Sequence, residues 1–152
     1  MPDNYSHLKG VRIGAIDYGL KRVGFAVCDE LHVTANPKKV LDPTKDKFWD
    51  ELTALLKAER VGAVIVGVPW RLDNKETEII EKIYQFIKEL KNVTGLEIIP
   101  RDESFTTKRA VETLIAIGKK KKKRAEKGMH DIIAAAVLLR EFLKEIDFEE
   151  SR

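Results

Sequence analysis

The chain has few residues that build disulfides or zinc sites: a single cysteine, Cys28, and three scattered histidines. One cysteine cannot form an intrachain disulfide, so the composition favours a reducing compartment such as the cytoplasm. Because neither cysteines nor histidines cluster, a zinc site of the usual type is excluded, and any catalytic metal must be held by oxygen ligands.

Long apolar runs are also missing. The longest, Ile132–Leu139, is far too short to cross a bilayer, and the first ten residues carry no signal-peptide pattern. We therefore expect a cytoplasmic protein that does not associate with membranes. The length of 152 residues fits one domain, 1–152, with a core over about 11–144, and hydrophobic residues at 43% suffice for that core.

Charge is abundant but unevenly distributed. Charged residues make up 35% of the chain and the net charge is only +3, yet Lys119–Arg124 consists entirely of basic residues. A solvated loop is the ordinary explanation of such a run. The functional explanation is binding of nucleic acid, because clustered cations release the condensed counterions of the phosphate backbone.

Hydrophobic periodicity predicts three strands followed by alternating helices and strands. The first strand extends from Val11 to Asp17 and is apolar or small on both faces, which is typical of a central strand covered on both sides. The next two strands follow short connections, so they are antiparallel neighbours. The order is β-β-β-α-β-α-β-α-α, an α/β fold with a mixed sheet and helices on both faces. The later strands are predicted at 22–28, 33–41, 63–68 and 96–101, the helices at 44–60, 73–95, 104–118 and 131–144, and a frayed tail at 146–152.

Three acidic residues fall at the ends of predicted elements. Asp17 ends the first strand, Glu103 follows the last strand, and Asp131 begins the last helix. Ligands of α/β sheets bind outside the carboxyl ends of the strands, so we expect the three acids to converge there. Converging carboxylates repel each other, and Mg²⁺ (or Mn²⁺), which prefers oxygen ligands, relieves that repulsion. Two such ions can activate a water and stabilise the leaving oxygen in phosphodiester cleavage.

Each acid also has a purely structural explanation. Asp17 can shape a turn, Asp131 can cap a helix, and Asp102 with Glu103 can be an exposed acidic pair. If the strand continues through Asp102 and Glu103, their side chains point to opposite faces, so at most one binds the ion, and we choose Glu103. The prediction rests on the conjunction of three acids at one edge.

Several residues near these acids are candidates for binding nucleic acid. Trp70 can stack on a base, although packing at the rim of the fold is the more common role of such a residue. The cations that can contact phosphates are Lys21 and Arg22, beside Asp17, together with Lys119, Lys120, Lys121, Lys122, Lys123 and Arg124.

Four motifs follow one another along the chain: I-D-Y-G-L-K-R-V-G-F-A-V at 16–27, V-G-V-P at 66–69, D-E-S-F-T-T at 102–107 and H-D-I-I-A-A-A at 130–136. Together they resemble the YqgF/RuvX family, whose members are described as Holliday junction resolvases or pre-16S rRNA nucleases, and the resemblance covers about 11–143. It implies a ribonuclease H-like fold with a five-stranded sheet of order 3-2-1-4-5. It also implies a metal-dependent nuclease site formed by Asp17, Glu103 and Asp131.

The function implied by the resemblance is hydrolysis of nucleic-acid phosphodiesters. We favour processing of the 5′ end of pre-16S rRNA in ribosome biogenesis, with resolution of branched DNA as the alternative. A resolvase cuts two strands symmetrically and is expected to be a dimer, whereas a trimming nuclease can be a monomer. The loop after Pro69 reads W-R-L-D-N and lacks the Asp-Gly turn of relatives, a departure that affects loop shape and substrate reach.

Two other classes of function fit part of the sequence. The stretch D-Y-G-L-K-R-V-G at 17–24 matches the phosphate-holding hairpin of actin-like and sugar-kinase ATPases, but those enzymes bind ATP between two lobes and this chain is long enough for only one. A nucleic-acid-binding module without catalysis is the other alternative, and the presence of all three acids argues against it.

Overall fold

The computed structural model describes residues 5–70, 77–103 and 129–150, with the backbone alone at 77, 129–131 and 147–150. Its elements follow the predicted order, while the helix predicted at 104–118 lies outside the described residues. After a 3-10 turn at Ser6–Leu8, they are β1 (Ile13–Tyr18), β2 (Val23–Cys28), β3 (Ala35–Leu41), α1 (Phe48–Ala58), β4 (Ala63–Val68), α2 (Thr77–Thr94), β5 (Glu97–Asp102) and α3 (Met129–Glu150).

The five strands form one mixed sheet in the order β3-β2-β1-β4-β5. β1 pairs antiparallel with β2, and β2 pairs antiparallel with β3, because each connection is too short for a crossover. β1 pairs parallel with β4, and β4 pairs parallel with β5, through crossovers that contain α1 and α2. This topology confirms the expected sheet order and puts β1 in the centre.

Apolar side chains alternate along the central strands and build a core on each face. Ile13 and Ala15 of β1 belong to the core covered by α3, whereas Ile16 belongs to the core covered by α1 and α2. All six residues of β4 are buried, which agrees with the unbroken apolar run that predicted this strand. The helices therefore lie on both faces, as predicted.

The edge strand and the last helix differ in detail from the predictions, whereas α2 ends near Gly95 as predicted. β3 is an edge strand, where Pro37 is tolerated, and its pairing shifts register opposite Phe25 and Ala26. α2 ends at Thr94, before Gly95, whose φ of 69° suits glycine. The prediction of a frayed tail at 146–152 is wrong for residues 146–150, because α3 continues to Glu150 and Ile146 is buried one turn beyond Phe142.

None of the helices within the described ranges has the length and apolar character that a membrane crossing requires.

Candidate active site at the carboxyl edge of the sheet

Asp17 stands near the carboxyl end of the central strand. It pairs with Gly24 of β2, and the parallel ladder that joins Ile16 to Val66 brings Asp17 beside Gly67 of β4. Because side chains alternate along β1, Asp17 shares the face of Ala15, which is the face covered by α3. One predicted acid is thus partly buried between the sheet and that helix.

Glu103 follows β5 and approaches the same glycine from the other side. Its backbone N–H donates a hydrogen bond of 3.0 Å to the carbonyl oxygen of Val68, which extends the ladder by one residue. Its Oε1 atom lies 3.0 Å from the position that a Cβ atom would take on Gly67, and Cδ2 of Leu138 lies 3.2 Å from that position. The carboxylate therefore occupies space that exists because residue 67 has no side chain.

Asp102, the alternative to Glu103, faces the opposite side of the sheet. Ile98 packs in the core under α1 and α2 and Ile99 in the core under α3, so the alternation of β5 puts Asp102 on the side of Ile98. Of the two neighbouring acids, Glu103 is the one on the face of Asp17.

The third predicted acid, Asp131, lies in the first turn of α3, and its side chain is outside the described part of the chain. Leu138, two helical turns later on the same side, contacts the carboxyl end of β4 at Gly67. Ile146 lines a cavity with Lys9, which precedes β1 at the opposite edge. The helix thus runs from the carboxyl edge to the amino edge, and it begins on the side where Asp17 and Glu103 lie.

These residues suit a hard divalent cation, because their donors are carboxylate oxygens and the Gly67 backbone leaves room for the carboxylate of Glu103. Among the described side chains, no group of three His, Cys, Asp or Glu residues could hold a metal ion. A third ligand from the chain must come from outside them, and Asp131 is the candidate.

The turn between β1 and β2 carries two of the predicted basic residues to the same edge. Lys21 and Arg22 are exposed. The turn is closed by a hydrogen bond of 3.0 Å from the N–H of Gly19 to the carbonyl oxygen of Arg22. A Cβ on Gly19 would lie 2.8 Å from that oxygen, so the tight turn requires glycine. The basic run Lys119–Arg124 lies outside the described residues.

Two titratable groups near the central strands are structural. The ring of Tyr18 stacks on Phe86 at 4.5 Å, on the face opposite Asp17, and burial raises the pKa of its phenol, with the charge of Glu89 adding to the effect. Burial also raises the pKa of the Cys28 thiol, whose sulfur accepts a hydrogen bond of 3.2 Å from the Ile13 N–H. Both groups stay protonated at neutral pH and supply neither base nor nucleophile.

The sequence analysis missed the role of Gly67. The signal was present, because an isolated glycine inside an apolar strand often marks a close approach by another group. It also missed Tyr84 of α2, whose hydroxyl accepts a hydrogen bond of 2.7 Å from Nε1 of Trp70. Residues 14 positions apart in different elements leave no local pattern that predicts such a pair.

Comparison with known proteins identifies relatives along nearly the whole chain. A family model described as RuvX, Holliday junction resolvase, matches residues 11–145. A protein of Amoebophilus asiaticus named "Putative pre-16S rRNA nuclease" is 41% identical over 136 residues, which cover 87% of this chain and 93% of the relative. A protein of Syntrophus aciditrophicus with the same name is 35% identical over 144 residues, which cover 92% of this chain and 93% of the relative.

Solved structures show the same fold at low sequence identity. T. thermophilus RuvC in complex with a Holliday junction substrate is 16% identical with a TM-score of 0.57, over 88% of this chain and 94% of that one. The Fowlpox virus resolvase in complex with Holliday junction DNA is 18% identical with a TM-score of 0.58, over 89% of this chain and 98% of that one. These similarities establish a ribonuclease H-like fold of the RuvC type.

Proposed function

The chain belongs to the RuvX family, and from that membership we propose that it is a divalent-metal-dependent endonuclease that processes the 5′ end of pre-16S rRNA in the cytoplasm. The observation that carries the proposal is the approach of Asp17 and Glu103 to the same glycine, Gly67, on one face of the sheet. Two carboxylates that meet beside a residue without a side chain offer oxygen ligands to a cation at the edge where α/β proteins bind ligands. The name shared by the curated relatives supports rRNA as the substrate.

The proposed roles follow from the chemistry of each group. Asp17, Glu103 and Asp131 hold Mg²⁺ or Mn²⁺ through oxygen atoms. When bound, such ions supply an activated water and stabilise the leaving oxygen of a phosphodiester. Lys21 and Arg22, with Lys119–Arg124, neutralise phosphates of the strand and hold it against the sheet edge.

Resolution of Holliday junctions is the second candidate function. The description of the matching family and the junctions bound by both structural relatives favour it. A junction resolvase must present two active sites, so this candidate also requires a dimer in solution. Light scattering at working concentration tests that requirement, and a strict monomer would contradict the resolvase.

The deciding experiment offers the protein two substrates, a 5′-extended 16S precursor RNA and a four-way DNA junction, each with Mg²⁺, with Mn²⁺ and with EDTA. We expect metal-dependent cleavage of the RNA that is lost in Asp17→Asn and in Glu103→Gln. Asp102→Asn is the matched control, because it removes the neighbouring negative charge on the opposite face. Thermal melts of all four proteins establish that each one is folded.

Each other outcome has a definite meaning. Paired nicks in the junction with intact RNA would establish the resolvase. Loss of activity in Asp102→Asn but not in Glu103→Gln would show that the wrong acid was chosen. If neither substrate is cut but salt-sensitive binding persists, the chain is a binding module and the metal site has no catalytic role.

A further inference from the structure

Two aromatic side chains lie exposed beyond the carboxyl end of β4, on the side of the sheet that α2 covers. The side chains are Trp70, which is 44% exposed, and Tyr84, which is 41% exposed. The indole N–H of Trp70 donates a hydrogen bond of 2.7 Å to the Tyr84 hydroxyl. An exposed ring whose only polar group is already bonded presents an apolar π surface to solvent in a fixed orientation.

The backbone ties this aromatic pair to the proposed active site. The carbonyl oxygen of Val68 accepts hydrogen bonds from the N–H of Trp70, at 2.9 Å, and from the N–H of Glu103, at 3.0 Å. The two amide nitrogens therefore lie within about 6 Å of each other, twice the length of a hydrogen bond. The two residues are thus neighbours at the carboxyl edge, with the indole on the α2 side of the sheet and the Glu103 carboxylate on the α3 side.

We propose that Trp70, oriented by Tyr84, is a stacking platform for an unpaired nucleobase of the strand that is cut. This inference rests on the nuclease function proposed above and adds to it the requirement for a single-stranded nucleotide at the site. Every base has a π face, so such a platform binds bases without reading sequence. It suits an enzyme that must recognise an unpaired strand rather than a particular base.

Charge supports a nucleotide rather than an apolar partner protein. Exposed Lys21 and Arg22 stand at the same sheet edge, and exposed Lys88 lies one helical turn beyond Tyr84. A strand whose base stacks on Trp70 therefore has cations on both the hairpin and the helix to receive its flanking phosphates.

Tryptophan fluorescence tests the stacking directly, because the chain has two tryptophans. Trp49→Phe leaves Trp70 as the reporter. Trp70→Phe leaves Trp49, which stacks on Phe86 at 5.4 Å and serves as the matched control. Each protein is titrated in EDTA, so that no strand is cut, with a single-stranded 12-nucleotide RNA and with an abasic backbone of equal length. We expect RNA to quench Trp70 but not Trp49, and the abasic chain to quench neither.

Affinity gives a second, independent readout. Trp70→Ala should weaken binding of the RNA by roughly 5- to 100-fold, the usual range for loss of one aromatic stack. Trp70→Phe should keep most of that affinity, and Tyr84→Phe should fall between the two because the indole loses its orientation. Affinity for the abasic chain should be the same in all variants. Since both side chains are exposed, the melting temperature should change little.

Three outcomes would refute the stacking proposal: unchanged RNA affinity in Trp70→Ala, quenching of Trp70 fluorescence by the abasic chain, or an equal loss of affinity for the RNA and the abasic chain in Trp70→Ala. The first of these would leave packing at the rim or contact with a protein as the role of the pair. Cleavage of the precursor RNA and the junction is scored separately. If the protein stacks bases but cuts neither substrate, the nuclease function is refuted and the stacking role of Trp70 is not. If it cuts and RNA binding does not depend on Trp70, the stacking role is refuted and the nuclease function is not.

Discussion

Substitution of Gly67 by alanine probes the geometry of the site without touching a charged group. The new methyl would lie 3.0 Å from Oε1 of Glu103 and 3.2 Å from Cδ2 of Leu138, so both must move by a few tenths of an ångström. Misplacement of a reacting group by about 1 Å costs on the order of 100-fold in rate, and a smaller shift of a metal ligand costs less. We expect metal-dependent cleavage to slow by about 10-fold, with a higher Mg²⁺ concentration needed for half-maximal rate.

The expected effect on folding is small and has two opposing parts. Alanine restricts the unfolded chain and thereby stabilises the fold by about 0.4–1 kcal/mol. Overpacking against Leu138 costs about 1–3 kcal/mol. The net loss is between zero and about 2.6 kcal/mol and lowers the melting temperature by no more than about 10 °C, so we expect the variant to be folded at 25 °C.

The assay compares single-turnover cleavage by wild type, Gly67→Ala, Glu103→Gln and the double variant over a range of Mg²⁺ concentrations. If the methyl acts by displacing the carboxylate, it adds no further loss in the Glu103→Gln background. Gly62→Ala is the control, because its Cβ would lie 2.6 Å from Val11 at the other end of β4 and affect stability alone. The reasoning would be refuted if Gly67→Ala cut at the wild-type rate. It would also be refuted if Gly67→Ala lowered the cleavage rate by the same factor in the wild-type and Glu103→Gln backgrounds.

Three further predictions concern stability, reactivity and binding. The pKa of Asp29 is lowered, chiefly by a hydrogen bond from the backbone N–H of Thr34. The ionised carboxylate therefore stabilises the fold above its unfolded pKa of about 3.9, and this contribution is lost as the pH falls through the lowered pKa of the folded state. In melts, Asp29→Asn should be less stable than wild type at pH 7, with the difference shrinking below about pH 3.9. Cys28 is fully buried and its pKa is raised, so native protein should resist iodoacetamide until denaturant is added; rapid native alkylation would contradict this structure. Lys21→Ala should weaken RNA binding and lower the slope of log affinity against log salt by about 1, whereas Lys57→Ala, in the last turn of α1, should not.

Runs of apolar residues in the sequence predicted the strands that are buried on both faces. β4 was predicted at its observed bounds because each of its residues is buried, and β1 was predicted to be central because both its faces are apolar. The order of the outer strands came from the family resemblance, since periodicity does not specify which strands are neighbours. The end of α3 was misjudged because the charged residues after Lys144 masked the contribution of one buried residue, Ile146.

The contacts that define the candidate site were not predictable in the same way. Glu103 meets Gly67 across 36 positions of sequence, and Trp70 meets Tyr84 between a loop and a helix. Such pairs depend on strand register and helix placement, which arise from packing of the whole domain. The sequence identified the acids as candidates, and only the register shows that Glu103 and Asp17 flank one glycine.

The change of strand direction at β1 explains why unrelated parts of the chain meet at this edge. β1 is antiparallel to β2, so their short turn, with Lys21 and Arg22, lies at the carboxyl end of β1. β1 is parallel to β4 and β4 to β5, so Trp70 and Glu103, which follow those strands, lie at that end as well. With the parallel neighbour alone, the edge would carry acids and the aromatic ring but no basic turn. The mixed sheet is therefore what brings a basic turn, an exposed aromatic pair and two carboxylates to one edge of the sheet.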